Sequence, residues 1–534
     1  MLERMIQHHK RKKYHLTVHQ LLENAFQLTP EQEAVYDGHR RLTYRELMEE
    51  STALAYGLQQ LGIKKGDRVA VCLPNSHEFI IILFALSRIG AILIPFNTRY
   101  RVDEIEYILQ DSGAKVAFFT KEFDHVQHFS QFVEVQKKLS SLEQLVTVRF
   151  EEEGYKSLYE LIRNGKAFKS NFPEIDSKED VFVILYTSGT TGKPKGVMLT
   201  HQNVMYTGIV AKEKMKCTKE DVFLIPVPVF HIFGIVFIIH TISAMARMVL
   251  MEKFSAKEAL TLIQNEQVTV HAGVPSMFIL ELNHPSFETF DLSSLRTGEM
   301  AAAPCPVEVV RKIKVNMGCN ILVAYGLTET SANLTITDFS DDDVLKSETV
   351  GKAIEGVELK VVNANGEEVS RGEVGELVCR SLGLMKGYYN MPEKTREVVD
   401  ENGWFYTGDL AAMDQQGYIR IVGRLKEMII RGGYNIYPRE IEDIFYEHPS
   451  VLDIAVVGLP DSVLGEIVCA AIRLKPNQDV DKKRLIEFAK QRLADYKVPD
   501  KIIFLNEFPM TGSGKILKMN LQQRLKKELQ SELR

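Results

Sequence analysis

Cysteine is scarce in this chain and nowhere paired: the six, at positions 72, 217, 305, 319, 379 and 469, form no Cys-x-x-Cys and no metal-like cluster. That spacing excludes a zinc-ribbon site and fits scattered thiols in a reducing compartment, so the expected location is cytoplasmic. No apolar h-region follows the basic cluster Lys10-Arg11-Lys12-Lys13, which excludes a secretory signal and leaves a solvated terminus as its plain meaning. An amphipathic organelle presequence stays open, because Glu3 is the only acid before Glu23. A net charge of −6 lacks the positive excess of a general nucleic-acid binder. Uninterrupted membrane spans are missing too. The apolar run Phe79 to Phe96 contains Arg88, Gly90 and Pro95, and Phe233 to Met251 contains His240 and Arg247. Both read as a buried helix followed by a strand. There is no internal repeat of fixed short period and no low-complexity tract.

What is present is ordinary for a globular enzyme. Apolar residues make up 45% and charged residues 25% of 534 positions, enough for a large core and more than one domain. Thr43 and Glu46 form a capping box that opens a helix at Leu42–Leu47. A strand at Arg68–Leu73, a helix at His77–Ile89, a strand at Ala91–Phe96, a helix at Val102–Leu109 and a strand at Lys115–Thr120 follow. The alternation resumes with strands at Arg247–Met251, Val268–Val274 and Ile321–Tyr325 and helices at Lys257–Glu266, Pro275–Leu282 and Pro306–Val315. This predicts an α/β fold with parallel sheets and helical crossovers. From about Gly356 short strands around the turn Asn363-Ala-Asn-Gly366 predict an antiparallel subdomain, a small β-barrel, to about 422. Beyond Gly423 a further α+β unit of about 110 residues is large enough to be a separate domain. Its expected elements are helices at Pro438–Glu447 and Lys482–Leu493 and strands at Ile454–Leu459, Ile467–Leu474 and Ile502–Leu505.

The stretch Tyr186-Thr-Ser-Gly-Thr-Thr-Gly-Lys-Pro-Lys-Gly196 follows a strand-like run and precedes Thr200, a helix N-cap with Asn203 three residues on. Three glycines, four hydroxyls and two lysines in eleven residues suit a polyphosphate, since glycine lets backbone N–H groups turn toward an anion. A polar strand-to-helix turn is the plainer alternative. It is not a Walker A loop: Thr187 stands where the first glycine belongs, and Pro194 replaces the required Ser/Thr. Gly514-Lys515 fails likewise, with Pro509 and Ile516 at the deciding places, and Ser188 lacks the flanking glycines of a nucleophile elbow.

The stretch closely resembles the signature loop of the adenylate-forming superfamily: acyl-CoA synthetases, firefly-type luciferases and peptide-synthetase adenylation domains. Other motifs recur in order, so the resemblance covers almost the whole chain. It implies that Thr187, Ser188, Gly189, Thr190, Thr191, Gly192 and Lys195 cradle the ATP phosphates. In Tyr325-Gly-Leu-Thr-Glu-Thr330 it implies that Tyr325, followed by Gly326, stacks on adenine, while Thr328 and Glu329 contact phosphate and Glu329 holds Mg²⁺. Asp409, in Tyr406-Thr-Gly-Asp409, would accept the ribose hydroxyls, and Arg424 would reach ribose or phosphate. Lys426 would be the hinge, within 423–427, between an N-terminal domain (1–422) and a mobile C-terminal domain (428–534). Lys515, in Pro509-Met-Thr-Gly-Ser-Gly-Lys515, would bridge the α-phosphate and the substrate carboxylate. His231 matches a position beside the carboxylate pocket, and Ala302 and Ala303 lie in the loop Arg296–Pro304 that walls the adenine and acyl pocket. More glycine is expected in that loop, and Glu299 is unusual there. Gly433, in Arg431-Gly-Gly-Tyr434, would let pantetheine pass.

The implied reaction has two halves. A carboxylate attacks the α-phosphate of ATP, expelling pyrophosphate to leave an acyl-adenylate, and the thiol of CoA then displaces AMP. The expected activity is an acid:CoA ligase acting on a medium- or long-chain fatty acid with ATP, Mg²⁺ and CoA. Its partners are these small molecules and no nucleic acid; peripheral membrane contact and a homodimer are compatible with it. The alternatives are an aryl acid:CoA ligase of the 4-coumarate type, a stand-alone enzyme loading a carrier protein, a luciferase-like oxidase, and a nucleotide sensor without catalysis. No Leu-Gly-Gly-x-Ser-type phosphopantetheine site follows the last domain, which disfavours a self-loading module. The apolar pocket segments favour an aliphatic or aryl acid over an amino acid, although Glu299 could partner an ammonium.

Overall fold

Local capping sets the first elements. The Thr43 hydroxyl accepts from the Glu46 N–H, and the Glu46 carboxylate accepts from the Thr43 N–H at 2.8 Å, starting the helix Tyr44–Gln60. Ser76 caps His77–Ile89, which ends at Gly90 with φ +69°, a left-handed terminus that glycine adopts without strain. The computed structural model describes residues 15–187, 194–303, 307–461, 463–476, 478–510 and 516–532.

The chain divides into two compact units. The first comprises Met1–Ser347, Gly351–Glu358 and Arg380–Phe405; the second comprises Glu348–Val350, Leu359–Cys379 and Tyr406–Arg534.

Two mixed sheets build the first unit. In the eight-stranded sheet, Arg68–Cys72 lies between Ile92–Pro95 and Val116–Thr120, all parallel, as the β-α-β-α-β reading requires. In the nine-stranded sheet, Val222–Ile225, Val270–Gly273, Thr297–Met300 and Asn320–Tyr325 run parallel side by side. Both long apolar runs resolve as expected: His77–Ile89 then Ile92–Pro95, and Ile232–Ala244 then Arg247–Leu250. Strand alternation divides the burial. Met300, Ile321 and Val323 pack with Leu260, Phe278 and Ile313 of the covering helices, while Glu299 and Leu322 belong to the opposite face. In this unit one expectation is corrected. The signature stretch joins two antiparallel strands, Val181–Thr187 and Lys195–Thr200, before the helix His201–Lys214 begins at the Thr200–Asn203 capping box. The sequence Lys195–Thr200 is too short and mixed to announce itself as a strand; its partner supplies the pairing.

In the second unit, the antiparallel subdomain expected as a barrel is a four-stranded sheet ordered Glu358–Val362, Val374–Arg380, Phe405–Met413, Ile419–Arg424. The remainder is a five-stranded sheet centred on Val451–Asp461 and Gly465–Leu474. Its period-two pattern feeds two cores. Ile454, Val456 and Val468 pack against Ile441, Phe445 and Leu485, whereas Ala455, Val457 and Cys469 pack against Leu521 and Leu525. Among the described residues no helix is long and apolar enough to cross a membrane.

Candidate active site

Pairing of the signature strands brings Thr187 opposite Lys195, and the Thr187 hydroxyl approaches the Lys195 carbonyl oxygen at 3.5 Å. Ser188, Gly189, Thr190, Thr191 and Gly192 lie outside the described residues. The short strand Gly387–Tyr388 adds to the edge of Lys195–Thr200, with Tyr388 opposite Val197. Gly196 leaves room for its neighbours, because a Cβ there would meet the side chains of Ile184 at 2.8 Å and Tyr186 at 3.2 Å and displace them. Tyr388 then sits between two expected site residues. Its ring centroid lies 4.1 Å from Lys195 Nζ, and its hydroxyl donates to Glu329 Oε1 at 2.8 Å. Burial, then the Glu329 charge, pushes the phenol pKa up, so Tyr388 remains a donor. Met385 N–H donates to the Glu329 carbonyl at 2.7 Å, fixing the main chain as well.

Thr328–Thr330 is a single 3-10 turn rather than the start of an α-helix, because Thr330 Oγ1 accepts from Leu327 N–H and Ser331 turns left-handed at φ 55°. Tyr325 ends the strand Asn320–Tyr325, opposite Thr335. Gly326 allows the turn to fold back: a Cβ would fall 1.6 Å from the Ala332 carbonyl oxygen. Ala302 holds φ 74°, a conformation that favours glycine and is therefore mildly strained, while Ala303 beside it is exposed. Such φ values gather at functional sites. The glycine expected in this loop is absent, but the backbone conformation that glycine would serve is present.

His231 caps the helix Ile232–Ala244, its Nδ1 accepting from Phe233 N–H at 3.3 Å, which places its proton on Nε2. Asn75 holds the approach to it. Asn75 Nδ2 donates to the carbonyls of Ile225 and Val227, and Asn75 Oδ1 accepts from Val229 N–H at 2.8 Å. The carboxylate of Asp221 anchors Arg296 bidentately at 2.7 and 2.6 Å, fixing the start of the Ala302 loop. Sequence reasoning missed Tyr388 and Asn75, since each acts across a pairing distant in the chain. The run Gly387-Tyr-Tyr-Asn-Met-Pro was the available signal for the first.

The second unit brings two more expected residues together. Asp409 lies opposite Arg424 in the ladder, and Arg424 Nε stands 3.2 Å from Asp409 Oδ1. Asp409 is buried and Arg424 exposed, so a carboxylate is held at a sheet edge beside a guanidinium. Glu376, also missed, accepts from Gly408 N–H at 2.9 Å and is pushed up in pKa by burial and the Asp409 charge. Lys426 is exposed within the 3-10 turn Leu425–Glu427. Its neighbour Glu427 pairs with Lys518, which also pairs with Glu442 at 2.7 Å. Gly432 and Gly433, at φ 57° and 86°, form the two-residue turn between Ile429–Arg431 and Tyr434–Ile436. Both positive φ values fit a type I′ hairpin, so the backbone by itself already calls for glycine here. Lys515 lies outside the described residues.

Comparison with known proteins decides the family. Residues 22–389 match the AMP-binding enzyme family and residues 440–515 match the AMP-binding enzyme C-terminal domain. The chain belongs to this family. A Bacillus subtilis (strain 168) protein that carries the name "Putative acyl-CoA synthetase YngI" is 40% identical over 96% of this chain and 97% of its own. The human mitochondrial medium-chain acyl-CoA ligase ACSF2 is 35% identical, covering 96% of this chain and 88% of its own. An anthranilate CoA ligase solved with anthranoyl-AMP superposes with a TM-score of 0.88 at 27% identity, covering 96% of this chain and 97% of the other. This AMP-binding enzyme is an AMP-forming acid–CoA ligase, using ATP and CoA through an acyl-adenylate.

Proposed function

We propose that the substrate is a medium-chain fatty acid. The observation that carries this is the apolar lining expected of the Pro226–Ile238 segment, where Val227, Val229, Phe233, Val236, Phe237 and Ile238 are buried, together with the 35% identity to a medium-chain ligase over nearly the whole chain. The positioned charges supply the chemistry. Lys195 and the signature hydroxyls hold the phosphates, and Asp409 accepts ribose hydroxyls. Glu329 and Thr328 offer the oxygen donors a hard cation prefers, with Tyr388 holding the carboxylate in place. Mg²⁺ bound there would neutralise phosphate charge. Lys515 serves the adenylating half-reaction, and Lys426 is the pivot about which the segment from 428 turns for thioester formation. The compartment we propose is the cytoplasm; the buried, unpaired thiols of Cys72, Cys217, Cys319, Cys379 and Cys469 support a reducing one.

The test is thioester formation with CoA across straight-chain acids from acetate to palmitate, with benzoate and 4-coumarate as aryl controls. The expected maximum in kcat/KM is at six to ten carbons, on the order of tenfold above either end. A maximum at an aryl acid, or at palmitate, would overturn the medium-chain assignment.

A further inference from the structure

Glu299 lies on the strand Thr297–Met300 between Ala272 and Leu322, with no exposed surface. Among the described residues neither carboxyl oxygen has a hydrogen-bond partner of good geometry. Among the described residues no arginine, lysine or histidine acts on it: burial raises its pKa to about 8, opposed by a hydrogen-bonding contribution from the Asn333 side chain beside it. The two side chains are near enough for the amide to act on the carboxyl, yet Asn333 Nδ2 meets neither oxygen with good hydrogen-bond geometry and has no other partner among the described residues. Two orphaned polar groups side by side in a protein interior are rare and costly unless something occupies the space between them. The other buried acidic cluster shows the contrast. Asp37, His77 and Glu78 are closed on themselves, His77 Nδ1 bonding Asp37 at 2.6 Å and Arg149 bonding Glu78 at 2.8 Å.

Both residues sit next to the site in the chain. Glu299 is three residues before Ala302, at the carboxyl end of a parallel strand, where ligands of open α/β sheets bind. Asn333 is four residues after Glu329, fixed by the left-handed pair Ser331 and Ala332.

We propose that Glu299 and Asn333 form a polar subsite for a hydroxyl group on the acyl chain, so that the preferred substrate is a hydroxylated acid. The inference rests on the medium-chain acid reading above and narrows it. The orphaned groups choose the chemistry. A neutral Glu299 offers one donor and an acceptor, and Asn333 offers a donor that needs an acceptor. A hydroxyl can accept from one and donate to the other. An ammonium could ion-pair with Glu299 but would leave the Asn333 donor unmet. A second carboxylate would face a carboxyl that burial already keeps from ionising, and a plain alkyl chain would leave both groups unmatched.

Calorimetric titration with unreactive acylsulfamoyl adenosines tests this without catalysis. The probes carry octanoyl, 3-, 5-, 7- and 8-hydroxyoctanoyl and 8-aminooctanoyl groups. One hydroxyoctanoyl probe is expected to bind the wild type about tenfold or more tighter than octanoyl, since a site built for a hydroxyl rejects the analogue lacking it. Glu299→Leu and Asn333→Leu should each erase that ratio, chiefly by tightening octanoyl binding, while Glu299→Gln should retain part of it. Thermal melts check folding, and Asn333→Leu carries the test if Glu299→Leu does not fold. Equal or tighter binding of octanoyl by the wild type, as when the two groups hold only water, would overturn the subsite but leave the ligase reading intact. An unchanged ratio in the folded variants, or preference for 8-aminooctanoyl, would overturn it too. If no probe binds, the substrate reading itself fails and the subsite with it.

Discussion

The Tyr388 hydroxyl donates to Glu329 Oε1 at 2.8 Å, tying a two-residue edge strand to the carboxylate assigned to Mg²⁺. The same ring lies under Lys195, so one side chain spaces the lysine proposed to hold phosphate from the carboxylate proposed to hold the metal. Tyr388→Phe keeps the ring and removes the donor. A hydrogen bond to a charged group contributes about 1.5–3 kcal/mol, less where solvent screens it. The variant should fold normally yet need severalfold more Mg²⁺ for half-maximal ATP–pyrophosphate exchange. Glu329→Gln should raise the Mg²⁺ requirement further and depress turnover. An unchanged Mg²⁺ dependence in both variants would assign the pair to structure.

Gly326→Ala should be severely destabilising. Its Cβ would fall 1.6 Å from the Ala332 carbonyl oxygen, a backbone atom that cannot rotate away. The expected loss is about 3 kcal/mol or more in urea denaturation, at or beyond the upper end of what overpacking with a forced backbone shift usually costs. A stability within about half a kcal/mol of wild type would show that the Tyr325–Thr330 turn opens readily.

Glu299 also predicts a pH dependence of stability. Its pKa rises from an ordinary 4.5 to about 8 on burial, so the folded state binds the proton that the unfolded state has released. Its contribution is complete below about pH 4.5, declines as pH rises, and is lost by about pH 8. Linkage puts the change at about 3–5 kcal/mol. Glu299→Gln, which cannot ionise, should therefore gain on the wild type in denaturation between pH 5 and pH 8.5. A constant difference across that range would show that Glu299 ionises normally in the fold.

Much of this was readable in advance, and the exceptions share a cause. The capping box at Thr43, the helix His77–Ile89 and the helix Pro275–Leu282 follow from local spacing, caps and apolar runs, and they appear with those bounds. The hairpin between Val181–Thr187 and Lys195–Thr200, and the strand Gly387–Tyr388 beside it, depend on partners instead. A two-residue strand has no periodicity to read. Tyr388 meets Glu329 across 59 residues, and Asn75 reaches the His231 approach across about 150, so neither contact could be read locally. Lys195 and Glu329 were found through motif resemblance; what connects them emerged only from the fold.

The two half-reactions should separate Lys515 from Gly433. Lys515→Ala should lose on the order of 10²–10³ in adenylate formation, the loss typical of a charge-stabilising donor, yet still convert supplied acyl-adenylate and CoA to thioester. Gly433 holds φ 86°, so a leucine there would strain the hairpin. Asparagine tolerates that conformation, and a Cβ at Gly433 meets nothing within 4 Å. Gly433→Asn should keep pyrophosphate exchange and slow thioester release. Equal loss of both steps in Lys515→Ala, or of neither in Gly433→Asn, would refute the division of labour.

The most direct test follows products rather than variants. Purified enzyme with octanoate, ATP and Mg²⁺ should exchange labelled pyrophosphate into ATP in the absence of CoA. Adding CoA should then yield octanoyl-CoA, AMP and pyrophosphate in equal amounts. Formation of ADP and phosphate with the thioester, or thioester formation with no exchange before CoA is added, would contradict an acyl-adenylate route.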